Sequence, residues 1–261
     1  MGIVNITSDS FHVSSRVLDR NPLLKLVEKH LMDGAQIIDL GASSSRPGSV
    51  PVPEEIELKN ITQSIQWILS EWPDCTISVD SWRAKVADEA IHLGAKMIND
   101  ISAGNMDPEM VNVIANHNCP YIIMHMKETP LSMNLDHNLH YTNISSELIQ
   151  YFAKKMNELH SKNIHQIIID PGFGFSKNNV QNFTLLKELS FFSILETPIL
   201  LGISRKSMIQ KTLGIKTEDA LNGTTAAHSL ALSQGAHILR VHDVKEAVET
   251  IKIYQAYQAE S

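Results

Sequence analysis

Two carboxylates, Asp80 and Asp170, each close an aliphatic run, Ile77-Ser78-Val79-Asp80 and Ile167-Ile168-Ile169-Asp170. At the rim of an apolar cavity a carboxylate needs a cation, or a pair of N–H donors, to offset lost hydration. The edge of a guanidine-like ring, such as a 2-aminopyrimidinone, presents that donor pair. Asn99 ends another apolar run and could complete the edge with one donor and one acceptor. A lone strand-end Asp often does no more than cap its loop. Two acids and an amide on three separate runs favour a ring-binding site.

The cations form a second group. Arg240 and His242 lie two apart in Arg240-Val241-His242, so on a strand both face the same way. Ser204, Arg205 and Lys206 follow the preceding apolar run. Arg grips phosphate oxygens bidentately and Lys acts as a compact point charge. Asn5 ends the first run and offers a neutral oxygen that suits a Mg2+ already carrying phosphates. An isolated Arg can simply pair with a neighbouring Asp; with Ser-Arg-Lys and Asn5 beside it, an anion site is the better reading.

Competing chemistries find less support. No His-x-His ends the first run, and no Cys/His cluster has zinc-ligand spacing despite 12 histidines. His125 ends a run, with a structural role as plausible as a catalytic one. Gly-x-Ser-x-Gly is absent, and Asp170-Pro171-Gly172-Phe173-Gly174 is no dinucleotide fingerprint.

These residues need a scaffold that gathers run ends at one mouth. Eight apolar runs recur: Gly2–Ile6, Ile37–Gly41, Thr76–Asp80, Met97–Ile101, Tyr121–Met124, Gln166–Asp170, Ile199–Gly202 and Ile238–Val241. Between them the pattern predicts helices near 22–32, 54–71, 83–93, 108–116, 144–161, 180–189, 221–234 and 244–258, with a short turn after Lys206. Strand–loop–helix repeated eight times predicts a (β/α)8 TIM barrel, whose catalytic groups sit at the C-terminal strand ends. Its loops after strands seven and eight often form phosphate sites. Three loops exceed what a barrel needs: Thr7–Asn21, Ala42–Pro53 and Lys127–Asn143. The first two follow adjacent strands and could close together over a substrate.

A chain of 261 residues fits one such domain, 1–261, with no linker or low-complexity tract. The net charge of −7 argues against a nucleic-acid partner. No apolar stretch is long enough for a membrane span, and Gly2–Ile6 is too short for a signal peptide. Cys75 and Cys119 fit buried free thiols, so a cytoplasmic enzyme is expected.

Read together, VNITSDSF (4–11), IIDLGASSSRPGS (37–49), ISVDSW (77–82), INDISAG (98–104), MHM (124–126), IIDPGFGFSKNNVQN (168–182), GISRKS (202–207) and RVHDV (240–244) resemble the successive signatures of dihydropteroate synthase. They occur in that family's order over essentially the whole chain. The resemblance implies condensation of 6-hydroxymethyl-7,8-dihydropterin pyrophosphate with p-aminobenzoate, giving 7,8-dihydropteroate and pyrophosphate in folate biosynthesis. It further implies a homodimer, in a family that is the target of sulfonamides; Ala-rich helix 221–234, or Tyr254 and Tyr257 on the final helix, could serve the interface. Asp80, Asn99, Asp170 and Lys206 match pterin-binding positions, and Asn5 matches the Mg2+ ligand. Arg240 and His242 match the pyrophosphate pocket. Ser45, Arg46 and Pro47 match the loop over aminobenzoate, with Phe175 and Ser204 near that ring; Met124 and Gly202 fall in the matching substrate-binding segments.

Two departures stand out. The family's Thr-Pro-Asp-Ser-Phe-Ser-Asp-Gly-Gly is Thr7-Ser8-Asp9-Ser10-Phe11-His12-Val13-Ser14-Ser15 here, without the glycine pair that eases loop refolding. Its Gly-Gly-Glu-Ser-Thr-Arg-Pro is Gly41-Ala42-Ser43-Ser44-Ser45-Arg46-Pro47. These changes motivate an alternative, a paralogue that binds pterin pyrophosphate without condensing aminobenzoate. A methyltransfer barrel ranks below it, since such proteins do not need the cationic groups.

Overall fold

The computed structural model describes residues 1–6, 19–43, 49, 51–133 and 135–259. Every predicted run forms a parallel strand: β1 Gly2–Asn5, β2 Ile38–Gly41, β3 Ile77–Asp80, β4 Met97–Asp100, β5 Tyr121–Met124, β6 Ile167–Asp170, β7 Leu200–Leu201 and β8 Ile238–Leu239. The first six pair in chain order, and β7 pairs with β8. Single bridges Ile169↔Ile199 and Gly2↔Val241 link the two sheets into a closed ring. The (β/α)8 barrel is therefore complete. The last two strands are shorter than predicted, although Arg240 N–H still donates to the Leu201 carbonyl at 2.9 Å and the Met1 ammonium to the Leu239 carbonyl at 3.0 Å.

Nine α-helices lie among the described residues: α1 Arg20–Met32, α2 Glu54–Glu71, α3 Ala84–His92, α4 Glu109–His117, α5 Ile144–His160, α6 Asn179–Lys187, α7 Ser207–Leu213, α8 Leu221–Ser233 and α9 Val244–Ala259. The turn predicted after Lys206 is a full helix, α7, and the end of the predicted 180–189 helix unwinds into 3-10 turns over Leu189–Leu195. A further 3-10 turn, Asp136–Leu139, interrupts the long loop after β5. Gly94 takes φ +111 just beyond α3, the left-handed conformation that ends a helix at low cost.

Strand alternation sorts the side chains. Ile38, Leu40, Ile77, Val79, Ile98, Tyr121, Ile123, Ile167, Ile169, Leu201 and Leu239 point outward into the main core beneath the helices. The opposite parity faces the barrel axis. Met97, Ile122, Ile168 and Leu200, with partly buried Ile37 and Ile238, form a separate apolar plug there. Two residues further along the same strands lie Asp39, Asn99, Met124, Asp170, Gly202 and Arg240. The barrel axis thus changes from hydrocarbon to polar groups within one pleat.

Candidate active site

Strand register places the polar layer. Gly41 pairs with Asp80, Asp80 with Asn99, and Met124 with Asp170. From the far side of the ring Arg240 reaches two acids, with Nε 2.5 Å from Asp39 and Nη2 2.6 Å from Asp80. Asn99 donates to Asp39 at 3.2 Å. Burial works against the Arg240 charge, but Asp39 and Asp80 outweigh it and raise its pKa. Burial also raises the Asp80 carboxyl to about 7; Arg240 opposes that rise and Asp39 reinforces it.

Lys206 closes the ring of charge. Burial pushes its ammonium down to about 8, partly countered by Asp170 and Asp80. Nζ donates to the Phe173 carbonyl and sits 4.3 Å from the Phe175 ring centroid. Burial raises Asp170 in turn, with Lys206 as the main opposing charge. Lys206 reaches this position past Gly174, where an added Cβ would lie 3.2 Å from its Cδ. Gly202 lies beside the same acid with more room, its would-be Cβ 3.8 Å from Asp170 Oδ2.

On the anion side, Ser204 Oγ lies 3.1 Å from His242 Nδ1 and accepts from the His242 backbone N–H. Asn5 Oδ1 and Asp80 Oδ2 both lie 3.6 Å from the point where a side chain on Gly41 would begin. An apolar wall of Ile101, Met124, Met126, Met133 and Phe175, with Trp82 and Met106 against it, flanks the mouth. A flat ring can lie on that wall with its polar edge at Asn99 and Asp170.

Eleven of the residues singled out in the sequence therefore line one mouth or its floor: Asn5, Asp80, Asn99, Met124, Asp170, Phe175, Gly202, Ser204, Lys206, Arg240 and His242. Ser45, Arg46 and Pro47 lie outside the described residues, as does most of the first long loop. Arg205 does not join them. Its φ of 54 turns it outward, where Nε and Nη2 grip Asp243 at 2.7 and 2.8 Å and Nη1 donates to two carbonyls. Ser-Arg-Lys thus supplies one cation to the mouth, not two. Tyr254 packs on the core, so of the two helix tyrosines only Tyr257 is well exposed.

Two members escaped the sequence reading. Asp39 is wholly buried yet anchors Arg240, and its Oδ1, like Ser78 Oγ beside it in register, has no hydrogen-bond partner among the described residues. An acid of inward parity within an aliphatic strand was the available signal. Lys177 is the other. It is buried beneath the mouth, with Nζ 3.1 Å from His125 Nδ1 and donating to the carbonyls of Gly172, Phe175 and His125. Burial drives its pKa well down, with Asp170 opposing, and burial likewise holds His125 neutral. This pair ties the Asp170–Phe175 loop to β5, which gives His125 a structural role.

A closed parallel barrel with an anion-binding rim beside an acid–amide edge defines a (β/α)8 enzyme that handles a polar ring carrying an anionic group. Comparison with known proteins narrows that class. The family model described as "Pterin binding enzyme" matches residues 1–242. Dihydropteroate synthase of Haemophilus influenzae is 38% identical over 258 residues, covering 98% of this chain and 92% of that protein. The Yersinia pestis dihydropteroate synthase, solved with a sulfonamide drug, superposes with TM-score 0.92 at 34% identity, covering 100% of this chain and 93% of that one. The Xanthomonas albilineans synthase in complex with 7,8-dihydropteroate gives TM-score 0.87 at 31% identity, covering 99% and 92%. The chain belongs to the pterin-binding enzyme family, among its dihydropteroate synthases. Members of that group are transferases of folate biosynthesis. No helix among the described residues is long and apolar enough to cross a membrane.

Proposed function

We propose that the mouth joins a dihydropterin bearing a methylene diphosphate to p-aminobenzoate. The observation that carries this reading is the convergence of Asp170, Asn99 and Lys206 with Arg240, Ser204 and His242 around one rim. Asn99 and Asp170 bind the amino-pyrimidinone edge, and Lys206 donates to the ring system from across the mouth. Met124 and Phe175 face the ring. Arg240, Ser204 and His242 bind the diphosphate and stabilise charge on the leaving oxygen.

The C–O bond to the methylene breaks as diphosphate departs with the bonding pair. Asp80 and Asp170 stabilise the positive charge left on the pterin methylene. The arylamine nitrogen then forms the new C–N bond and loses its proton. Because a weakly basic arylamine is largely unprotonated at neutral pH, no strong general base is needed.

The donor set fits Mg2+. Asp39, Asp80 and Asp170 outnumber Arg240 and Lys206, so a diphosphate entering the mouth requires a further cation, and Asn5 supplies a hard neutral oxygen on the Asp80 side. Mg2+ held by Asn5 would neutralise diphosphate charge as the leaving group departs. Ser45, Arg46 and Pro47 are assigned to the aminobenzoate side, and there a sulfonamide would compete. We assign the working form to a cytoplasmic homodimer. Supporting it is apolar surface on and near α6–α8, where Val180, Phe191, Ile194, Leu213 and Leu230 are exposed.

The test is dihydropteroate formation from both substrates with Mg2+. Turnover supports condensation over the impaired-paralogue alternative; pterin binding without turnover reverses that order. Lys206→Ala and Asp170→Asn should each lose most activity, and full rates in either would show the ring lies elsewhere.

A further inference from the structure

At the opposite end of the barrel, α3 and α4 bring together three side chains that the condensation does not use. Asp88 and His92 lie four apart on α3 and share a face. His117, the last residue of α4, points its Nε2 at Asp88 Oδ1, 2.7 Å away. The two imidazoles meet edge to face with centroids 4.7 Å apart. One ligand atom from each residue falls within 4.8 Å of the other two.

We propose that Asp88, His92 and His117 form a binding site for a borderline divalent transition cation of the Zn2+ class. Two imidazoles and a carboxylate are the ligand chemistry such ions select, whereas Mg2+ prefers an all-oxygen shell. Three protein ligands leave a fourth position for water. Zn–N and Zn–O bonds of about 2.0–2.2 Å put tetrahedral ligand atoms roughly 3.3–3.6 Å apart. The cluster must therefore contract on its long side and open at the Asp88–His117 contact. His92 can make that adjustment, since its side chain is 60% exposed.

Two further features favour a cation here. His92 and His117 are the final residues of their helices, where the exposed carbonyls carry partial negative charge. His92 Nδ1 also lies 3.6 Å from Asp88 Oδ1 and 2.8 Å from the Asp88 carbonyl oxygen, so this ring nitrogen already faces the carboxylate that would share the ion. Bound between α3 and α4, the ion would brace the barrel on the face that serves stability rather than chemistry.

Calorimetric titration of the full chain with Zn2+, in saturating Mg2+ to occupy the hard-oxygen position at the mouth, tests the site. We expect a saturable event that His92→Ala and His117→Ala each weaken at least tenfold, as a lost ligand should exceed the roughly 10–100-fold cost of losing an outer-shell partner. Zn2+ should raise the thermal midpoint of the parent and not of His92→Ala, and a chelator should reverse the rise. Condensation activity measured with Mg2+ and without Zn2+ should be the same in both variants as in the parent. His92→Ala alters an exposed side chain, so its folding is secure even if His117→Ala unfolds. Zn2+ binding of equal strength in parent and His92→Ala would place the ion elsewhere, and no saturable binding would remove the site; either result overturns the proposal.

Discussion

Asp39→Asn is the most informative single change, because Asp39 does its work out of reach of the substrate. Its side chain is 0% exposed and holds Arg240 Nε at 2.5 Å. Removing one partner of a buried ion pair costs about 3–5 kcal/mol, chiefly because the other charge is left uncompensated. Asparagine keeps an acceptor oxygen, and Arg240 retains Asp80 at 2.6 Å. The low end of the range, about 3 kcal/mol, is therefore expected. With a urea slope of about 3 kcal/mol/M for a chain of this size, the unfolding midpoint should fall by about 1 M. Turnover should fall too, since Arg240 would swing towards Asp80 and away from the diphosphate. A double-mutant cycle with Arg240→Met should return a coupling of at least roughly 1.5 kcal/mol. A variant with an unchanged midpoint and full turnover would refute the view that Asp39 sets the Arg240 position.

Three other outcomes follow from the same geometry. The pH–rate profile should be bell-shaped, rising as Asp80 ionises near 7 and falling as Lys206 loses its proton near 8; Lys206→Arg should abolish the alkaline fall, and an unshifted fall would exclude Lys206 as its source. Because the Lys206 pKa is lowered on folding, the unfolded chain holds the extra proton between about 8 and the ordinary lysine value, so this group's burial penalty is relieved as pH rises through that window. Gly172 has φ +72, and an added Cβ would lie 2.2 Å from the His125 carbonyl oxygen; Gly172→Ala should destabilise by at least about 3 kcal/mol in thermal unfolding, and a neutral result would mean the loop can move aside. Arg83 pairs with buried Glu57 at 2.5 Å and donates to the Val52 carbonyl at 2.7 Å; Arg83→Leu should cost about 3–5 kcal/mol and raise KM for aminobenzoate more than for the pterin substrate, equal rises arguing against an anchor for the second loop.

The sequence carried the barrel because each strand is a short aliphatic run with a polar end, and buried parallel strands admit little else. Asp80, Asn99, Asp170 and Arg240 were legible because a polar side chain of inward parity at the end of such a run faces the mouth, whereas Asp100, of outward parity at the end of β4, is held by Ser102, Gly104 and Tyr121. Partners separated widely in the chain were not. Asp39 sits within an aliphatic run, and nothing local reveals that Arg240 comes back to it 201 residues later. Lys177 lies in a polar loop and would pass for a solvated lysine; only the fold wraps carbonyls around it. Arg205 misled in the opposite direction, because a single positive φ decides which way adjacent cations point. Asp88 and His92 had helical spacing, but His117 joins them only once α3 and α4 pack side by side.

The ring closes unevenly. Asp39, Asp80, Asn99 and Asp170 belong to the continuous six-stranded sheet, whereas Ser204, Lys206, Arg240 and His242 ride on or just beyond the two-residue strands β7 and β8. Among the described residues one bridge on each side joins that short pair to its neighbours, with the Met1 ammonium bonded to the Leu239 carbonyl beside one of them. Acids and cations therefore face one another across the weakest joints of the wall. A molecule gripped by both sets becomes a cross-brace over those joints, and its departure frees them to breathe. Occupancy of the mouth should accordingly slow amide exchange most in residues 199–204 and 238–242, coupling the mechanical closure of the barrel to the presence of what it holds.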